Sequence, residues 1–186
     1  MDAVNPYETV LRALELGTAT SREAHAELRL LIAEFGPGLQ EVRRAAVTAL
    51  ACAAGPDATA DFAALLSDPT RSVRECAADV LYNVGDGRAW EEVFAYYQDE
   101  VRRRGPRRAG LPYAMPLSYL LVQAESGSQG AVRLIGFLRQ EWGRLSAFER
   151  EWLGGNLPQA APEGPPPAQV ALPTRAHLDR VGASAG

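Results

Sequence analysis

The feature that most limits the fold of this chain is a repeated run of nine residues. Val42-Arg43-Arg44-Ala45-Ala46-Val47-Thr48-Ala49-Leu50 returns as Val73-Arg74-Glu75-Cys76-Ala77-Ala78-Asp79-Val80-Leu81. Each position recurs 31 residues later, and four of the nine are identical. The apolar positions in both runs follow the spacing of one helix face. A repeat at this period means stacked helix pairs that bury their apolar faces only against neighbours.

The same helical period extends from about residue 5 to residue 155, and no stretch alternates with strand period for long. The first helix is expected over 6–16, with Val10, Leu11 and Leu14 as its apolar stripe and Gly17 as its stop. Thr20-Ser21-Arg22-Glu23 reads as a capping box opening a second helix, which runs to Phe35 and buries Ala24, Leu28, Leu31, Ile32 and Phe35. A third, over 39–54, turns Val42, Ala46, Ala49, Leu50 and Ala53 inward. The fourth starts at Asp57 as N-cap and runs to Leu66. The fifth follows Asp68-Pro69-Thr70 and ends near Val84. An aromatic sixth helix spans about 88–104, with Trp90, Phe94 and Tyr97 as a core stripe and Tyr96 left exposed. Pro116 opens or kinks a seventh, which ends at Glu125. The eighth covers 129–143. The ninth begins at a second capping box, Ser146-Ala147-Phe148-Glu149, and stops at Gly154-Gly155. Residues 1–157 therefore read as one helical domain. Residues 158–186, rich in Pro, Gly and Ala, read as a disordered tail.

All 19 basic residues are arginine. Residues 1–100 hold 17 acids against 8 arginines, a net of −9, whereas residues 101–186 hold 6 acids against 11 arginines, a net of +5. Such polarity steers charged partners. Cys52 and Cys76 fit no metal-ligand spacing and sit within apolar helical patterns, where a thiol acts as a small hydrophobe. No disulfide framework is expected, which favours a reducing compartment. The first residues lack a signal-peptide pattern, and no 18-residue apolar run offers a membrane span. A cytoplasmic protein that does not engage membranes is expected.

The run from Leu66 to Ala77, with Asp68-Pro69, Val73-Arg74 and Ala77, resembles the HEAT repeat, and more closely the HEAT-like repeat of bacterial proteins related to phycobilisome lyases. The resemblance covers 57–84 best and 20–54 next, where Pro37 and Gly38 replace the Asp-Pro turn. It implies an all-α, right-handed α-α superhelix of about four helix pairs behind an N-terminal capping helix. The pairs are two–three, four–five, six–seven and eight–nine. It also implies structural roles for Asp68 and Pro69 at the turn, Val73 in the stack, and Arg43 and Arg74 in a ladder with Asp68 between repeats.

In such a solenoid the second helix of each pair lines the concave face. Helix five then offers Ser72, Glu75, Asp79, Tyr82 and Asn83. Subtracting the period gives Glu41, Arg44 and Thr48 on helix three, and helix seven adds Ser118, Tyr119 and Gln123. We take Glu41, Arg44, Thr48, Glu75, Asp79, Tyr82, Asn83 and Tyr119 as candidate partner-binding residues, a mixture suited to protein recognition. A separate cluster, Arg102, Arg103, Arg104, Arg107 and Arg108, is the candidate anion contact. It could equally clamp local acids such as Glu91, Glu92, Asp99 and Glu100.

Catalytic constellations are scarce. His25 and His177 stand beside no Cys or Ser nucleophile in sequence, and no phosphate loop, HExxH or paired CxxC is present. The expected function is a non-catalytic, cofactor-free protein-interaction module: an adaptor, regulator or immunity-type inhibitor that binds another protein. The alternative is nucleic-acid binding through the arginine cluster, as in the HEAT-like alkylpurine DNA glycosylases it resembles. A bilin-lyase role would rest on the repeat alone, since no residue here supports that chemistry.

Overall fold

The computed structural model describes residues 5–34, 39–103 and 116–163, and all regular structure among them is helical. The chain divides into two compact units, one formed by residues 1–96 with 113–119 and the other by residues 97–112 with 120–186. The expected all-α class is observed among the described residues, and the stacked helix pairs expected of a HEAT-like solenoid are present in the first unit.

In the first unit, α1 (Pro6–Leu16) opens with Asn5, whose side chain accepts the Tyr7 N–H at 3.1 Å, and with Pro6, which lacks the amide hydrogen that a first turn leaves unpaired. Next comes α2 (Arg22–Glu34). Its cap is Ser21, whose Oγ accepts the Ala24 N–H at 3.1 Å, so the cap stands one residue after the expected Thr20. The third helix, α3, is Gln40–Ala54. A 3-10 turn at Gly55–Ala58 leads into α4 (Thr59–Ala64), a second at Leu65–Ser67 follows, and α5 is Arg71–Val84. Gly55 takes φ 53°, a value that side-chain-bearing residues rarely adopt. Asp57 is not the N-cap of α4: it lies within the 3-10 turn, Ala58 takes the cap position, and the Asp57 carboxylate pairs with Arg88 at 3.0 Å.

Helix α2 packs along α3, α4 packs on α5, and α3 packs on α5, so two helix pairs stack. Their shared core holds Leu28, Ile32, Val42, Ala46, Val47, Leu50, Phe62, Leu66, Val73, Ala77 and Leu81. Each large side chain among them contributes about 1.5–3 kcal/mol relative to exposure.

Helix α1 lies on α3 and, less extensively, on α2. Its buried residues are Thr9, Ala13 and Leu16, not the expected stripe; Leu11 and Leu14 are 43% and 51% exposed. The reason is a close backbone approach. A Cβ on Gly17 would stand only 3.0 Å from Cα and Cβ of Ala49. Leu16 is the large apolar side chain that α1 buries, while Leu11, Leu14 and Tyr7 remain outside.

Helices α6 (Trp90–Arg103) and α7 (Leu117–Glu125) each contribute residues to both units. Phe94 and Tyr97 are buried as expected, and Trp90 is half-buried. Tyr96, expected at the surface, is also buried.

The second unit also contains α8 (Gln129–Gln140), a 3-10 turn at Trp142–Arg144 and α9 (Ala147–Asn156). The Ser146 capping box forms as expected: Ser146 Oγ accepts the Glu149 N–H at 3.2 Å, and Glu149 Oε2 accepts the Ser146 N–H at 2.7 Å. Helix α9 does not stop at Gly154-Gly155. It continues through them to Asn156, and the buried Leu153 accepts the N–H of buried Leu157 at 2.8 Å. Order also extends past Pro158, where the tail was expected to begin. A 3-10 turn at Pro158–Ala160 packs on α8 and α9, and Arg139 donates to the Gln159 and Pro162 carbonyls at 3.3 and 2.6 Å. The rest of the expected tail, with His177, lies outside the described residues.

Candidate functional site: a polar groove between two repeats

The register of α3 against α5 is fixed by a buried ion pair. The Arg43 guanidinium meets the Asp68 carboxylate through two hydrogen bonds, one at 3.0 Å from Nη1 to Oδ1 and a second, shorter one from Nη2 to Oδ2. Their side chains are only 8% and 6% exposed. Arg43 Nε also donates to the Ile32 carbonyl at 2.8 Å, and Asp68 Oδ1 accepts the Thr70 N–H at 2.8 Å. One guanidinium therefore ties α2, α3 and the Asp68-Pro69 turn together. Arg74 donates to the Asp68 and Pro69 carbonyls at 2.6 and 3.1 Å, holding its own turn. Val73 is fully buried.

The Asp68 carboxyl lies below its usual range. Burial pushes it upward, but the Arg43 hydrogen bonds, the Thr70 N–H and the Arg43 charge together outweigh that. Around this lock, side chains meet at one repeat's remove: Arg29 with Asp61 at 2.8 Å, and Ser72 with Gln40 at 3.0 Å.

With the register set this way, the solvent-facing residues of α3 and α5 enclose a groove of about 410 Å³. Arg44 and Thr48 stand on the α3 side, and Glu75, Asp79 and Asn83 on the α5 side, with Ser72, Cys76 and Val80 completing the lining. Five of the expected partner-binding residues thus come together. Glu41 is exposed beside them and pairs with Arg44 at 3.1 Å, and Tyr82 is 48% exposed on α5. On the α5 side, Glu75 pairs with Arg71 one turn away at 2.7 Å.

Cys76 forms part of this lining rather than only filling an apolar pattern. Its thiol lies 3.7 Å from the Thr48 hydroxyl and 3.8 Å from the Arg44 carbonyl. Burial pushes this thiol above its usual range, against the opposing pull of Thr48 and Arg44. The repeat gave a usable signal for its place, since Cys76 lies close to one period from Arg44.

Tyr119 is not part of this surface. It is fully buried; its hydroxyl donates to the Asp86 carbonyl at 2.5 Å, and its ring is tilted against Trp90 at a centroid distance of 5.3 Å. Burial, with the Asp86 charge, raises its ionisation well above the usual tyrosine range. Gln123 is likewise buried.

Of the arginine cluster, Arg102 is exposed, and Arg103 pairs with Glu100 at 3.1 Å, one of the local acids named above. Arg104, Arg107 and Arg108 lie outside the described residues. His25, on α2, is half-buried, and its Nε2 has no hydrogen-bond partner among the described residues. Also among the described residues, no cluster of three or more His, Cys, Asp or Glu is placed to hold a metal ion.

The family model for HEAT repeats matches residues 28–109. No curated protein sequence and no solved structure matches the chain significantly. The matched segment takes in the second half of α2, all of α3, α4 and α5, the Arg43–Asp68 lock and the groove, and over that segment the chain carries HEAT-like repeats.

Proposed function

We propose that the groove between α3 and α5 is the docking surface of a non-catalytic protein-interaction module, an adaptor, regulator or inhibitor that works by binding another protein. The bacterial cytoplasm is its proposed setting, and no cofactor is needed for the role. One observation carries this reading: consecutive repeats present carboxylates, a guanidinium, an amide and hydroxyls around a single groove, with Tyr82 exposed alongside. HEAT repeats commonly mediate protein–protein contacts, and a mixed polar surface with an aromatic residue is typical of such interfaces. No helix among the described residues is long and apolar enough to cross a membrane.

The acid-rich groove is unsuited to a phosphate backbone, which requires an extended basic face. Arg103 is already engaged by Glu100.

The test is affinity capture by the full chain from source lysate, with and without nuclease. A nuclease-resistant protein captured in near-equal amount by the wild type, and lost with Glu75→Arg and with Tyr82→Ala, is the expected result. Capture unaffected by both substitutions, or recovery of nucleic acid alone, refutes the groove as a protein-docking site.

A further inference from the structure

The two ends of the groove differ chemically. Toward the start of the two helices, charges cancel locally, with Glu41 on Arg44 at 3.1 Å and Glu75 on Arg71 at 2.7 Å. Toward the far end stand Asp79 and Asn83, one turn apart on α5, with Thr48 opposite on α3. Asn83 donates Nδ2 to the Asp79 backbone carbonyl at 2.7 Å, which leaves its amide oxygen available as an acceptor. The Asp79 carboxylate is exposed and enters no ion pair among the described residues. Tyr82, three residues along, flanks Asp79 on the side away from Asn83 and is 48% exposed. This end thus offers a free carboxylate and an amide oxygen beside an aromatic ring, with no cation of its own.

We infer that the Asp79–Asn83 end of the groove receives an arginine or lysine side chain of the partner protein; this rests on the docking role proposed above. The carboxylate supplies the opposite charge, the Asn83 oxygen accepts a further N–H, and Tyr82 covers the aliphatic stem. A guanidinium fits best, because its planar fork can engage two acceptors at once. The wider field agrees, since residues 1–96 hold 15 acids against 8 arginines and draw in a cationic segment. An acidic segment would find no cation at this end, and at the other it would meet Arg44 and Arg71, which already pair with Glu41 and Glu75.

The experiment uses the full ¹⁵N-labelled chain and three capped hexapeptides, all glycine except for two arginines, two glutamates or two leucines. The arginine peptide is expected to move the amide signals of Thr48 and of residues 79–83. Asp79→Asn should weaken it about three- to ten-fold, the range between a screened surface pair and a charge-assisted hydrogen bond. Glu15→Gln, the same charge change on α1, should leave it unchanged. Equal weakening by Glu15→Gln overturns the inference, because a diffuse field would then explain binding. A leucine or glutamate peptide that moves the same signals as strongly, regardless of Asp79→Asn, overturns the cation assignment and leaves the docking groove standing. Failure of all three peptides to move α3 or α5 signals overturns both.

Discussion

Removing the Asp68 carboxylate should cost far more than an ordinary surface substitution. In Asp68→Ala the Arg43 guanidinium, 8% exposed, loses both its hydrogen bonds to carboxylate while remaining between α2 and α3. Deleting one partner of a buried pair leaves an uncompensated charge and costs about 3–5 kcal/mol. The Thr70 N–H loses its acceptor as well. The expected loss of about 3–5 kcal/mol is measurable by urea unfolding followed by far-ultraviolet circular dichroism. Asp68→Asn should lose less, because its side-chain oxygen can still accept from Thr70. Arg43→Met combined with Asp68→Leu should recover most of the loss, since an apolar pair leaves no buried charge behind.

The effect must also depend on pH in one direction. The folded-state pKa of Asp68 is depressed, so its ionised form contributes fully above the unfolded value of about 3.9 and progressively less as pH falls through the lower folded value. The gap between wild type and Asp68→Asn should therefore be constant from neutral pH to about pH 5 and shrink below about pH 4. A cost under about 1 kcal/mol, the level of an exposed pair, or a gap that widens in acid, refutes the role given to this lock.

Three further outcomes follow from geometry already described. With a thiol-specific disulfide reagent at neutral pH, exposed Cys52 should react rapidly and Cys76 slowly; equal rates would contradict the sheltered position of the Cys76 thiol. Tyr119→Phe should cost about 0.5–1.5 kcal/mol by removing the donor to the Asp86 carbonyl, read as a lowered unfolding midpoint, and an unchanged midpoint would mean that the bond contributes nothing. Ser146→Ala should cost about 1 kcal/mol through loss of the α9 cap, seen as faster amide exchange near Glu149; unchanged exchange there would show that the cap is dispensable.

The helices of the first unit were largely legible in sequence, because the 31-residue period and the Asp68-Pro69 turn both locate α5, and subtraction then locates α3. The groove was legible for the same reason: a residue off the apolar stripe of one repeat predicts its counterpart in the next. What remained hidden depended on neighbours distant in the chain. Asp57 reads as a cap, yet a 3-10 turn carries the chain through it and leaves Ala58 in the cap position. Tyr96 and Tyr119 read as surface residues because tyrosine suits either environment, and only the Asp86 carbonyl decides for Tyr119. Gly154-Gly155 reads as a stop, yet α9 crosses it to bring Leu157 under cover.

The Gly17–Ala49 approach bears on how this chain should be compared with its kin. In most helices the large apolar residues mark the constrained face and drift slowly. At the end of α1 part of the constraint falls instead on small residues, because an added carbon at Gly17 would stand 3.0 Å from Ala49 and require α3 to give way slightly. Leu11 and Leu14 are free to change without disturbing that contact. An alignment scored on bulky hydrophobes would rotate α1 onto the wrong face, whereas one anchored on Ala13 and Gly17 would keep its register.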